Sequence, residues 1–222
     1  DLAPDDPEGQ MLLGVLSLRA GKLDAAEAAF RRQIRLGRGA DGGAARYRGG
    51  TMLGDVHAAR EALDEALAAY QDAQREVLAL LEHDGENAAL QRDLSVTCDR
   101  IGDVLLAKGD IDGALKSFRD GLEIAEVLAT RDPGNAGWQH DLCVSHDRIG
   151  EILSRQGDLG AALDCYRQGF VIAERLARHE PDRLDWQWDL SESYDRIGDV
   201  LMAQGKAEEA LEQYRHGLSV AA

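Results

Sequence analysis

DRIGDVLLAKGD, residues 99–110, returns as DRIGEILSRQGD at 147–158 and as DRIGDVLMAQGK at 195–206. The interval is 48 residues both times (147 − 99 and 195 − 147). Stepping back 48 from Gly102 reaches Gly54, inside MLGDV, and 40 more reaches Gly14, inside LLGVL. Five repeats are therefore anchored at Gly14, Gly54, Gly102, Gly150 and Gly198. Internal periods of this length mark stacked supersecondary units, each too small to bury its own apolar face.

Other landmarks keep the same register. Twelve residues after each anchor is an alanine: Ala26, Ala66, Ala114, Ala162, Ala210. Sixteen after it is an aromatic: Phe30, Tyr70, Phe118, Tyr166, Tyr214. Seven after it is Gly21, Gly109, Gly157 or Gly205, with Glu61 the exception. Leu94, Cys98, Ile101 and Leu105 recur with helical spacing, as do Ile111, Ala114, Leu115, Phe118, Leu122 and Ala125. Gly109 between the two stripes can end one helix in a left-handed conformation, and Asp110 can cap the next. Pro133 and Pro181 stop the second helix of repeats three and four. Each repeat thus reads as an antiparallel helix pair, A then B, and no segment alternates like a strand. A glycine inside a helix costs about 1 kcal/mol against alanine. Its recurrence predicts a place where helices A and B cross, with the alanine as the facing surface and the aromatic one turn further along helix B.

The chain has 222 residues, 44% apolar and 30% charged, and a formal net charge of −16. This is a folding composition, and its charge makes phosphate backbones and anionic membrane surfaces poor partners. Basic peptides or basic protein surfaces suit it better. The longest strongly apolar stretch, MLLGVLSL at 11–18, is too short to span a bilayer. DLAPDDPEG at the start lacks the layout of a secretory signal, and there is no initiator Met, so a longer parent protein is expected. Cys98, Cys143 and Cys165 are odd in number and lack CxxC spacing, which points to a reducing compartment, the cytoplasm.

Taken together, the glycine, alanine, aromatic and proline landmarks resemble the tetratricopeptide repeat over residues 8–222. The resemblance implies an all-α, right-handed α-solenoid of five antiparallel helix-turn-helix repeats, near residues 8–36, 44–83, 88–131, 136–179 and 184–222, in one domain. The family period is 34 residues, against 48 here. The additional residues are about four helical turns, two per helix, or roughly 10 Å each. The family's helix-A tryptophan position holds Cys98, His146 and Tyr194; Trp138 and Trp186 come earlier and are expected to cover the extended end. Long repeats of this kind also resemble those of large multidomain bacterial proteins.

In this family helix A lines the concave face, at positions −6, −3, +1 and +4 from the anchor glycine. Carried over, these are Arg48, Thr51, Asp55 and Ala58 in repeat two; Val96, Asp99, Asp103 and Leu106 in repeat three; Val144, Asp147, Glu151 and Ser154 in repeat four; and Glu192, Asp195, Asp199 and Met202 in repeat five. The acids at −3 and +1 are four apart and share one helical face, giving a two-column acidic ladder. The implied role is a non-enzymatic scaffold or adaptor that binds a protein or a basic or amphipathic peptide, without cofactor, in a larger protein. A second reading makes the ladder an ionic lattice, with Arg100, Arg148 and Arg196 each reaching the acid three residues on or one on the neighbouring helix. Further alternatives are a spacer or oligomerisation rod, and a regulatory sensor for an enzymatic domain outside this chain.

Other motifs read as structure. Acid–base catalysis needs two acids in unlike environments, and a ladder of like sites is the opposite. GRGADG at 37–42 satisfies GxGxxG but follows a helical stripe, so it reads as a connector; Arg46 and Arg48 after it form the one locally basic patch. His140 and His146 lack metal-ligand spacing, and His57 occupies a packing slot. The cysteines read as buried inert thiols. Repeat five stops at GLSVAA where its counterparts continue, so continuation of the chain or self-association through this end is expected.

Overall fold

The computed structural model describes residues 6–37 and 42–220. These residues form ten helices and no strand: α1 (Pro7–Arg19), α2 (Leu23–Leu36), α3 (Gly43–Ala59), α4 (Leu63–His83), α5 (Ala88–Ala107), α6 (Ile111–Arg131), α7 (Ala136–Arg155), α8 (Leu159–His179), α9 (Leu184–Ala203) and α10 (Ala207–Val220). Odd-numbered helices are A helices and even-numbered ones are B helices. The connector reading of GRGADG falls largely on residues 38–41, outside the described residues. Two compact units divide the chain, one ending at Gly121 and one beginning at Leu122, inside α6.

Turn chemistry makes the helix pairs. Gly21, Gly109, Gly157 and Gly205 take φ of +70°, +82°, +83° and +79°. A Cβ at these positions would touch nothing within 4 Å, so the backbone angle alone demands glycine. Glu61, the exception to the landmark, takes the same conformation with φ 59°. The residue after each of these donates back into the preceding helix, as Asp110 N to Leu105 O at 2.9 Å and Ala62 N to His57 O at 3.0 Å. Asp110 Oδ1 then accepts from Gly113 N at 3.0 Å, and the side chain of Asp158 accepts from Ala161 N at 3.1 Å, capping α6 and α8. Between repeats, Asn87 and Asn135 cap α5 and α7 through Leu90 N and Trp138 N. Pro133 and Pro181 follow the ends of α6 and α8.

All five anchor glycines face a ring. A Cβ on Gly102 would lie 2.6 Å from Phe118 Cε1, and one on Gly150 would lie 2.8 Å from Tyr166 Cε1; Gly14, Gly54 and Gly198 meet Phe30, Tyr70 and Tyr214 in the same way. This corrects the expected pairing of glycine with alanine. The landmark alanines are fully buried; Ala26 shares a cluster with Phe30 and with Val56 of the next repeat, and Ala66 with Tyr70 and with Ile101 and Val104 of the next repeat. Both positions point inward from helix B, and the ring is long enough to reach helix A of its own repeat.

Each unit has its own core. In the first, α1 packs on α2, α2 on α3, α3 on α4 and α4 on α5. In the second, α7 packs on α8, α8 on α9 and α9 on α10. Its core joins Cys143, Ile172, Leu176, Trp186 and Leu190. Trp186 closes the extended end of this core, with Arg183 stacked 4.1 Å above its ring, while Trp138 is half-buried. Repeat one has helices of 13 and 14 residues and repeat three has helices of 20 and 21. The long repeats therefore gain about two turns per helix.

Candidate functional site

In the second unit, α7 and α9 enclose a cavity of about 320 Å³. Asp147, Glu151, Asp189 and Glu192 supply four carboxylates to its lining, against the guanidinium groups of Arg148 and Arg196. Val144, Cys143 and His140 complete the wall. Six of the predicted residues, Val144, Asp147, Arg148, Glu151, Glu192 and Arg196, thus meet at one place.

The Asp147 side chain is only 12% exposed. Oδ2 accepts from Arg196 Nη1 at 2.6 Å. Oδ1 is buried without a hydrogen-bond partner and lies where a Cβ on Gly169 would sit 3.0 Å away. Burial pushes this carboxyl up to about 6; Arg196 opposes the shift, and Glu192 and Asp189 add to it. Arg196 also donates through Nη2 to Glu192 Oε1 at 2.9 Å. His140 Nε2 lies 3.2 Å from Asp189 Oδ2, and Glu151 pairs with Arg155 on its own helix. Cys143 is in the wall, but burial holds its thiol far above the ordinary range, so it is protonated and a poor nucleophile.

Asp55 and Arg100 pair in the first unit. Arg100 Nη1 lies 3.2 Å from Asp55 Oδ1, which also accepts from the Tyr70 hydroxyl at 2.6 Å. Asp99, Asp103 and Leu106 sit half-buried along α5. Asp195, Asp199 and Met202 are exposed on α9, and Asp199 accepts from the Tyr214 hydroxyl at 2.8 Å. The arginines at 100 and 196 both reach an acid of the preceding repeat, and Arg196 also holds Glu192 on its own helix.

Residues 1–42 match one family model described as tetratricopeptide repeat, and residues 191–222 match another. Both ends of the chain thus match the tetratricopeptide repeat. Solved structures share the fold of the whole chain. BtubC (BKLC) from P. vanneervenii is 17% identical, with 96% of this chain and 78% of that one covered and a TM-score of 0.76. The apo form of RapI is 16% identical at a TM-score of 0.76; the match covers 97% of this chain and 53% of RapI, about half its length. YrrB, described as a TPR protein with an unusual peptide-binding site, is 17% identical at a TM-score of 0.53, with 97% and 87% covered. No curated protein matches the chain by sequence.

Several residues that build these faces carry signals that helical periodicity alone does not reveal. Gly121, Gly169 and Gly217 lie nineteen residues after their anchors. Their carbonyls accept from Ser95 Oγ at 2.9 Å, Cys143 Sγ at 3.3 Å and Ser191 Oγ at 3.0 Å. Gln139 and Gln187 open α7 and α9 and donate to Ala129 O and Ala177 O of the preceding repeat, at 2.9 and 3.0 Å. Trp188, 69% exposed, holds in repeat five the position His140 holds in repeat four.

Proposed function

We propose that the chain is a protein-interaction module whose α7–α9 face receives a basic or amphipathic peptide. The observation that carries this reading is the cavity itself: four carboxylates against two guanidinium groups, lining a space large enough for a side chain. Exposed Trp188, Asp199 and Met202 on α9 extend it with apolar and acidic surface. Trp188 offers a cation–π face to lysine or arginine. The peptide-binding site named for YrrB supports the same use of the fold. Fluorescence anisotropy with short labelled peptides tests it. Basic amphipathic peptides bind, binding weakens as salt screens the charges, and Glu151→Gln with Glu192→Gln weakens it several-fold. Equal binding of acidic and basic peptides rejects the reading.

The lattice reading also has support. The Arg100–Asp55 and Arg196–Asp147 pairs join successive A helices. We assign these pairs to stacking and leave Glu151, Glu192, Asp199 and Met202 to contact the peptide. Asp147→Asn then alters stability and leaves peptide affinity unchanged.

A further inference from the structure

Beside the acids Asp55, Asp99 and Asp103, the A-helix face of the first unit holds a pocket whose lining is cationic. A cavity of about 420 Å³ lies between α3 and α5, with Met11 of α1 at its edge. Its lining holds two cations, Arg48 and Arg100, and a single acid, Asp93. That acid is engaged: its carboxylate accepts the hydroxyl of Tyr47, a residue only 4% exposed. The same hydroxyl accepts from Arg48 Nε at 3.2 Å, and the Arg48 guanidinium lies 5.8 Å from the Tyr47 ring centroid. Tyr47 and Asp93 thus fix Arg48 by its stem-side nitrogen. Nη1 and Nη2 remain as a two-pronged donor, the geometry that matches a carboxylate. Arg100 is 45% exposed and pairs with Asp55 through Nη1. Met11, Met52 and Val96 supply the apolar part of the wall. Methionine adapts its shape to an incoming apolar side chain.

We propose that this cavity is a second binding site, taking an acidic side chain carried on an apolar segment of a partner peptide. Arg48 and Arg100 hold the carboxylate, and Met11, Met52 and Val96 cover the apolar neighbour. A polyanion is a poor occupant because the chain carries a net charge of −16. One carboxylate between two guanidinium groups meets local attraction without that long-range penalty. The site uses different repeats from the acidic face and the opposite charge, so it stands or falls separately.

The chain contains three methionines. Met11 and Met52 border this cavity, and Met202 lies exposed on α9. Labelling the methionine methyl groups with carbon-13 therefore gives a three-signal reporter on the full chain. A C-terminally amidated peptide of leucine and glutamate is expected to shift Met11 and Met52 and leave Met202 in place. Arg48→Glu, at an exposed position, is expected to keep the unliganded spectrum and weaken the acidic peptide by about tenfold or more. The proposal is overturned if Met11 and Met52 stay unmoved, or if Arg48→Glu leaves the affinity unchanged. A response only to a peptide with a free C-terminus overturns it as well, because the ligand is then a chain terminus and not an acidic side chain.

Discussion

Replacing Asp147 by asparagine isolates the cost of the buried carboxylate in the α7–α9 wall. Burial raises this group from an ordinary 3.8 to about 6. The folded chain therefore holds a proton at pH values where the unfolded chain has lost it. Stability from this group is present in full below the unfolded value and is lost as pH rises through 6. Between pH 7 and pH 4 the linkage gains about 2 kcal/mol for the wild type. Asparagine cannot titrate, so the gap between wild type and Asp147→Asn shifts in favour of the wild type by about that amount on acidification. At pH 7 the two differ by less, within about 1 kcal/mol, because the variant loses the Arg196 pair and also loses a poorly solvated charge. All three tryptophans, Trp138, Trp186 and Trp188, lie in the second unit, so urea midpoints by tryptophan fluorescence report on the unit that holds Asp147. Asp195→Asn is the control, since Asp195 is exposed at the equivalent position. Parallel pH profiles for wild type and Asp147→Asn would refute the claim that this carboxylate is held against its own ionisation.

Gly102→Ala places a methyl 2.6 Å from the Phe118 ring, and overpacking of about 1–3 kcal/mol exceeds the gain of about 1 kcal/mol in helix propensity. The melting temperature falls, and Phe118→Leu in the same chain returns part of the loss. Glu61→Gly relieves a left-handed non-glycine residue, which costs about 1–2 kcal/mol, and gives back about 1 kcal/mol of chain entropy. The net effect is a gain of up to about 1 kcal/mol in urea denaturation, and Gly109→Ala shifts stability the other way. Cys98 is buried with its thiol pushed up to about 11, and Cys143 is held higher still, while Cys165 is half-exposed. A thiol reagent is expected to titrate Cys165 first in the native chain, and the other two only on unfolding.

The pairing of helices and the left-handed glycine turns were legible because each rests on a short-range demand. A glycine seven residues after the anchor can only be explained by its φ, and Glu61 kept the turn because the rest of the hairpin imposes it. The partner across the crossing was not legible. The alanine at +12 and the aromatic at +16 lie on the same side of helix B, and periodicity assigns a face without assigning a reach. Only the packing shows that the ring is the residue that spans the gap to its own anchor glycine. The inward turn of Asp147 was hidden for a different reason: an acid on an amphipathic helix signals solvent, and nothing in its own residue type announces a buried oxygen.

A signal that helix B makes room for these carboxylates nevertheless exists elsewhere in each repeat. Repeats three, four and five carry aspartate at −3 and glycine at +19: Asp99 with Gly121, Asp147 with Gly169, Asp195 with Gly217. Repeat two has Thr51 and Ala73 at the same places, and repeat one has Met11 and Gln33. The glycine appears only where the aspartate does. In all three pairs a Cβ on the glycine would lie between 3.0 and 3.2 Å from the aspartate Oδ1. The carboxylate thus occupies room that a larger helix-B residue would contest, and the two columns act as one packing device, as the anchor glycine and the ring do. On this argument the −3 acids belong to the scaffold, and the proposed peptide contacts fall to the +1 column and to repeat five. Introducing alanine at Gly169 should therefore destabilise the second unit in the wild type and do so less beside Asp147→Ser, whose shorter side chain vacates that room; equal losses in the two backgrounds, read from tryptophan-monitored urea midpoints, would separate the two columns again.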